Sequence, residues 1–157
     1  MPIDTLKQRA PMLVAIALAL ACSGASAHGD EHRDAAYGRP GDPAKASRTV
    51  AIDMSDSMRF TPALITARKG ETIRFALSNS GKVRHEMVLG SSRELEEHAA
   101  LMRKFPDMEH NDPNRLSVDP GKTGALVWQF TRAGTFDFAC LQPGHFEAGM
   151  RGRITVR

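Results

Sequence analysis

The 157-residue sequence contains two cysteines, one tryptophan and one tyrosine, and aromatic residues make up 6% of it. Two cysteines cannot form the disulfide framework that staples small secreted domains, so a compact fold must rest on a packed core. Long apolar runs are also missing. The longest, Met12 to Cys22, falls short of the ~20 residues that a membrane-spanning helix needs. Charge of one sign is nowhere concentrated: 21 Lys and Arg are interspersed with 18 Asp and Glu, for a net charge of +3. Without a basic block or aromatic-basic interleaving, nucleic acid is excluded as an expected partner. A sequence pI near 9.1 implies only a soluble, mildly cationic chain.

What is present begins with an export signal. Lys7 and Arg9 precede the Met12–Cys22 run, and small residues follow, ending Ala25-Ser26-Ala27. A basic stretch, a short apolar stretch and an A-x-A site make a secretory signal peptide over residues 1–27. Cleavage after Ala27 starts the mature chain at His28, and the expected location is the periplasm, without stable membrane insertion. Lipid anchoring at Cys22 is the competing reading, but Ala19-Leu20-Ala21 lacks the leucine usual three positions upstream of the cysteine. If Cys22 leaves with the leader, Cys140 is solitary in an oxidising compartment. It is then open to oxidation unless something, such as a metal, occupies it.

Residues 28–47 show no apolar periodicity and read as a flexible, His-containing arm. The free α-amine and imidazole of His28, with His32 nearby, are a chelating set for Cu(II); an ordinary polar terminus is the plainer reading. Residues 48–157 read as one domain of short strands. These are Thr49–Met54, Phe60–Lys69 broken at Pro62, Glu71–Asn79, Val83–Leu89, Gly124–Phe130, Thr135–Cys140 and Gly152–Arg157. Turn signals separate them with no βαβ rhythm, which predicts an all-β, antiparallel sandwich. Ser91 to Phe105 breaks the alternation: Leu95, Ala99 and Met102 have helical spacing and Pro106 ends the run. Asp107 to Pro120 reads as loop.

The chemistry gathers at the end of the chain. Phe136 to Met150 carries Cys140, His145 and Met150, each separated from the one before by four residues. Thiolate, imidazole and thioether on one loop form a soft ligand set suited to copper, and His85 is the candidate for a fourth ligand. Parity supports convergence. Phe136, Phe138 and Cys140 share one strand face, Met150 shares its face with Ile154 and Val156, and His85 shares its face with Met87 and Leu89. Pro143-Gly144 and Gly149 supply the turns such a loop requires. Zinc competes for Cys and two His, but Met is a poor zinc ligand. Taken singly, a buried Cys, Met or His is ordinary packing; in ordered spacing after an aromatic strand, the set predicts a type 1 copper site.

The stretch from Phe136 to Met150, followed by Gly-x-Ile-x-Val, resembles the ligand loop and last strand of the cupredoxins. Val83-Arg84-His85-Glu86-Met87 resembles their upstream His strand. The Cys-x4-His-x4-Met spacing resembles the rusticyanin and auracyanin type, and Thr49 to Arg157 is similar to the periplasmic copper-tolerance (CopI-type) cupredoxins. The resemblance implies a Greek-key β-sandwich, here with a short helical insertion. It also implies one type 1 copper, held by His85, Cys140, His145 and axial Met150. The sequence departs from the family at Glu86, where many blue copper proteins have an Asn that braces the ligand loop.

Outside that site, Glu94, His98 and Met102 are stacked at helical spacing, and Met108 and His110 follow. They are candidates for a second copper face, against the plainer reading of an amphipathic helix with packed Met and solvated His and Glu. Two functions are open. One is copper tolerance through binding, buffering or redox handling of copper in the periplasm, with a copper-handling or redox protein as partner. The other is a diffusible blue-copper electron carrier, with electrons entering at His145 through an apolar patch including Phe146 and Pro143. No His-x-His or His-Cys-His run supports a multicopper oxidase, so a binding or electron-transfer protein is expected rather than an enzyme. Cu(I) oxidation is the one reaction in view.

Overall fold

In the computed structural model, residues 35–106, 108 and 111–157 are described. The leader, His28, His32 and His110 lie outside them. Alternating apolar residues build two five-stranded sheets that face each other. The first runs in the order β1 (Arg39–Pro40), β8 (Thr123–Gln129), β5 (Thr72–Asn79), β2 (Arg48–Ser55), β3 (Arg59–Thr61). The second runs β4 (Leu64–Ala67), β10 (Arg151–Val156), β9 (Gly134–Ala139), β6 (His85–Gly90), β7 (Arg115–Val118). Phe75, Trp128 and Ile52 from the first sheet pack with Phe138, Met87 and Ile154 from the second in one buried cluster. The expected β-sandwich with a helical insertion is the architecture found.

Three details depart from the expectation, each for a physical reason. The sandwich is not wholly antiparallel, because β2 pairs β5 and β4 pairs β10 in parallel. Such pairs arise because consecutive strands cross between sheets; the cis Thr61–Pro62 bond stands where β3 of one sheet gives way to β4 of the other. The expected loop over Asp107–Pro120 contains β7, whose Val118 and Leu116 pair with His85 and Met87. Four residues are too few to display an alternation against flanking turn signals.

The expected arm over 28–47 also joins the domain from Ala35 onward. Tyr37 is buried and stacks on Trp128 at 5.6 Å, its carbonyl accepts from Trp128 Nε1 at 3.1 Å, and β1 extends the first sheet beside β8. Gly38 allows this approach: at φ 127° a side chain would meet the Gln129 carbonyl. One aromatic residue cannot announce itself by periodicity, so the domain boundary lies earlier than residue 48.

Helix α1 (Ser92–Lys104) fulfils the helical reading. Ser91 caps it, its hydroxyl accepting from Glu94 N–H while the Glu94 carboxylate accepts from Ser91 N–H. This reciprocal capping box satisfies donors that the first turn leaves free. Among the described residues, no helix is long and apolar enough to cross a membrane. The helix instead lies on the outer face of the second sheet, where Leu95, Ala99 and Met102 bury Val88, Ala139, Leu141 and Phe146. All six residues of β6 are buried, although successive side chains point to opposite faces. The inward face carries His85, Met87 and Leu89; the outward face carries Glu86 and Val88.

Candidate metal centre

β6 and β9 bring the first two donors together. His85 opens β6 fully buried, and Cys140 follows β9 fully buried in the same core cluster as Phe138. Beyond Cys140 the chain folds back in tight turns. His145 N–H donates to the Gln142 carbonyl at 3.0 Å, Met150 N–H to the His145 carbonyl at 3.0 Å, and Cys140 N–H to the Met150 carbonyl at 3.1 Å. Gly144 (φ 85°) and Gly149 (φ 93°) adopt the left-handed conformations that these turns need. The loop thus places His145 beside Cys140 and returns Met150 to the core, where it is fully buried.

One ligand atom from each of His85, Cys140 and His145 lies within 4.8 Å of the others. Nδ1 of His85 is 3.2 Å from Nδ1 of His145, which is 3.3 Å from Cys140 Sγ. On the other side of the ring, His85 Nε2 is 3.2 Å from Asp56 Oδ1. A proton on Nε2 donates to that carboxylate and leaves Nδ1 with a bare lone pair. Two imidazole nitrogens and a sulfur then converge on one point, an arrangement that a soft cation satisfies and a hydrocarbon core does not. Among the described residues this is the one group of three or more His, Cys, Asp and Glu side chains close enough to hold a metal ion.

The electrostatics fit the same use. Burial pushes the Cys140 thiol up to about 12, opposed by hydrogen bonds from the Gln142 and Glu86 N–H groups; the Glu86 charge raises it further and Arg115 lowers it. The sulfur therefore keeps its proton unless a cation displaces it. Burial, reinforced by the neighbouring His85, holds His145 below the usual histidine range and keeps its ring neutral for coordination. The Asp56 carboxyl sits below its ordinary value, chiefly because it accepts from Lys82 N–H, with burial opposing and His85 and Val83 N–H assisting.

Two side chains that local sequence did not single out complete the surroundings. Asp56, in the turn between β2 and β3, holds both His85 and the Lys82–Val83 segment that leads into β6. Arg115 on β7 pairs with Glu86. Nothing in their local patterns marks either: Asp56 reads as a turn residue, and β7 reads as loop. Glu86, the departure from the family pattern, turns out to brace the site. Its N–H reaches Cys140 Sγ at 3.4 Å, its Oε1 accepts from Leu141 N–H at 3.2 Å, and its Oε2 accepts from Ser117 Oγ at 3.0 Å and from Arg115.

Among the described residues, Glu94 and His98 belong to no comparable cluster of His, Cys, Asp and Glu side chains. The Glu94 carboxylate is engaged in the capping box, Met102 is packed beneath α1, His98 is half-buried and Met108 is partly exposed. Met102 is thus packed, while His98 is half-buried rather than solvated. Phe146 does not form the apolar surface patch expected around His145. It is 7% exposed, packs under α1, and carries the Arg151 guanidinium 3.7 Å above its ring. Arg103 of α1 also pairs with Glu147, and Arg59 of β3 donates to the Ala148 carbonyl at 2.9 Å, so the ligand loop is tied down on two sides.

Comparison with known proteins agrees with this geometry. The profile described as copper binding proteins, plastocyanin/azurin family, matches residues 46–157. A copper-resistant cuproprotein CopI from Rubrivivax gelatinosus is 57% identical over 135 residues, covering 84% of this chain and 82% of the relative. A protein of the same name from Pseudomonas aeruginosa is 36% identical, covering 85% of this chain and 90% of the relative. Among solved structures, reduced auracyanin from Roseiflexus castenholzii superposes with a TM-score of 0.61 at 20% identity, over 71% of this chain and 98% of that one. An azurin from Methylomonas sp. strain J gives 0.56 at 17% identity, over 71% and 99%. These last two likenesses speak to the fold alone.

Proposed function

Since the chain belongs to the plastocyanin/azurin family of copper-binding proteins, we propose that it is an exported type 1 copper protein that supports copper tolerance. In this reading His85, Cys140, His145 and Met150 would hold the copper. The observation that carries it is the convergence of two imidazole nitrogens and one thiol sulfur within 4.8 Å at the end of the core. Bound copper supplies one-electron redox chemistry, which suits a role in binding, buffering or oxidising copper. The protein's own part is to hold the donors. Asp56 fixes the His85 ring, the turns from Gln142 to Met150 fix the loop, and α1 covers Val88 of β6, Ala139 of β9 and Leu141 of the loop. Rigid donors of this kind limit rearrangement when the oxidation state changes.

The tolerance role draws on similarity to relatives named copper-resistant cuproproteins, and the periplasm on the signal-peptide layout of residues 1–27. The electron-carrier reading has one observation in its favour: His145 is the ligand candidate that is not fully buried. The burial of Phe146 removes part of the apolar patch that such docking would use.

Copper titration of the mature protein with visible spectroscopy tests the proposal. An intense Cu(II)–thiolate band that is lost in Cys140→Ser is expected, and a band that persists in the variant would sink the ligand assignment. Binding of more than one copper per chain favours handling, with the His28/His32 arm or the helix-associated His and Met residues as further sites. A strict one favours the carrier.

A further inference from the structure

Glu86 is fully buried, is not in the proposed ligand set, and has a charged partner. Its carboxylate stands between two elements. Oε1 accepts from Leu141 N–H at the start of the ligand loop, while Oε2 faces Arg115 and Ser117 on β7. Burying an ion pair costs desolvation that mutual attraction seldom exceeds. A carboxylate offers an oxygen to every one of these donors, whereas a neutral amide has a single acceptor oxygen and, on keeping the Leu141 bond, would turn its NH2 toward Ser117 and Arg115. Arg115 adds to the cost: its side chain is 9% exposed, and its Nη1 is buried without a hydrogen-bond partner. The guanidinium is there for the carboxylate.

The pair is also oriented. The carboxylate touches the residue next to Cys140, and Arg115 lies on its far side. In a medium of low dielectric, such a difference in distance leaves a sizeable residual potential.

We infer that Glu86 is a positioning residue that, with Arg115, holds the Cys140–Leu141 backbone and imposes a negative potential on the copper site, biasing it toward Cu(II). The inference rests on the copper reading above. A negative potential stabilises the more highly charged ion and lowers the reduction potential, and Arg115 offsets part of that effect from its greater distance.

The test compares reduction potentials and visible spectra of the copper-loaded mature protein as wild type, Glu86→Gln and Glu86→Gln/Arg115→Met. Gln preserves an acceptor for Leu141 N–H, so the Cu(II)–thiolate band stays while the potential rises. The rise is largest in the single variant, where the Arg115 charge is unopposed. Removing both charges gives a potential between that of the single variant and wild type. An unchanged or lower potential in Glu86→Gln with the band intact overturns the inference, as does a double variant at or above the single one. Should Glu86→Gln fail to fold, the double variant decides, and a potential at or below wild type overturns it. A wild-type protein without a Cys140-dependent band fails earlier and differently, because the copper reading itself is then wrong.

Discussion

Met150 and Cys140 illustrate how far single residues can be read. Both are fully buried, and for a lone Met or Cys burial alone implies only packing. Their spacing with His145 made them candidates, because three soft donors on one loop are chemically specific while each alone is not. Replacing the thioether separates the roles. Met150→Leu conserves volume, so the fold survives at a cost of about 1.5 kcal/mol or less. The same variant should keep copper but show a higher reduction potential, since an axial donor to Cu(II) is lost. An unchanged potential in a voltammetric measurement would show that Met150 only packs. Asp56 marks the opposite limit. Its hydrogen bonds to His85, Lys82 and Val83 join positions 26 to 29 residues apart, and no local pattern encodes them.

At the scale of elements, the strands with alternating apolar residues were legible, and so was α1, whose apolar spacing and Ser91–Glu94 capping box are both local. β7 was not, because it is short and lies among turn residues. The position of α1 on the sheet was not legible either. An amphipathic helix announces which face it buries but not what it covers. Here it covers Val88 on the outer face of β6 and Leu141 at the start of the ligand loop, which turns the outward-pointing Val88 into an interior residue. The helix is thereby part of the support of the metal centre. Met102→Ala removes buried contacts with that face and should destabilise the protein by about 2–5 kcal/mol in denaturant unfolding. A change within ~0.5 kcal/mol, typical of surface substitutions, would mean that the helix is not packed as described.

At the scale of the whole molecule, the leader and the domain carry separate claims. If residues 1–27 are removed on export, protein recovered from the periplasm should have the mass of a chain beginning at His28. A mass that retains Cys22 with an attached lipid would favour anchoring instead. The domain itself is closed by long-range pairings: β1 and Tyr37 on Trp128 at one edge, and β4 beside β10 at the other.

The sequence by itself determined the strand-rich class, the helical break and the Cys140–His145–Met150 loop, because alternation, capping and loop spacing are properties of neighbouring residues. His85 could be placed on an inward-facing strand by parity, but its meeting with His145, 60 residues away, belongs to the folded sandwich. Only the tertiary structure decided the crossing of strands between sheets, the inclusion of residues 35–47 in the domain, and the clamps at Asp56 and Glu86. Each of these depends on contacts between segments far apart in the chain. That Glu86 is a buried charge rather than a solvated strand residue depends on contacts with Arg115, Ser117 and Leu141, 29, 31 and 55 residues away.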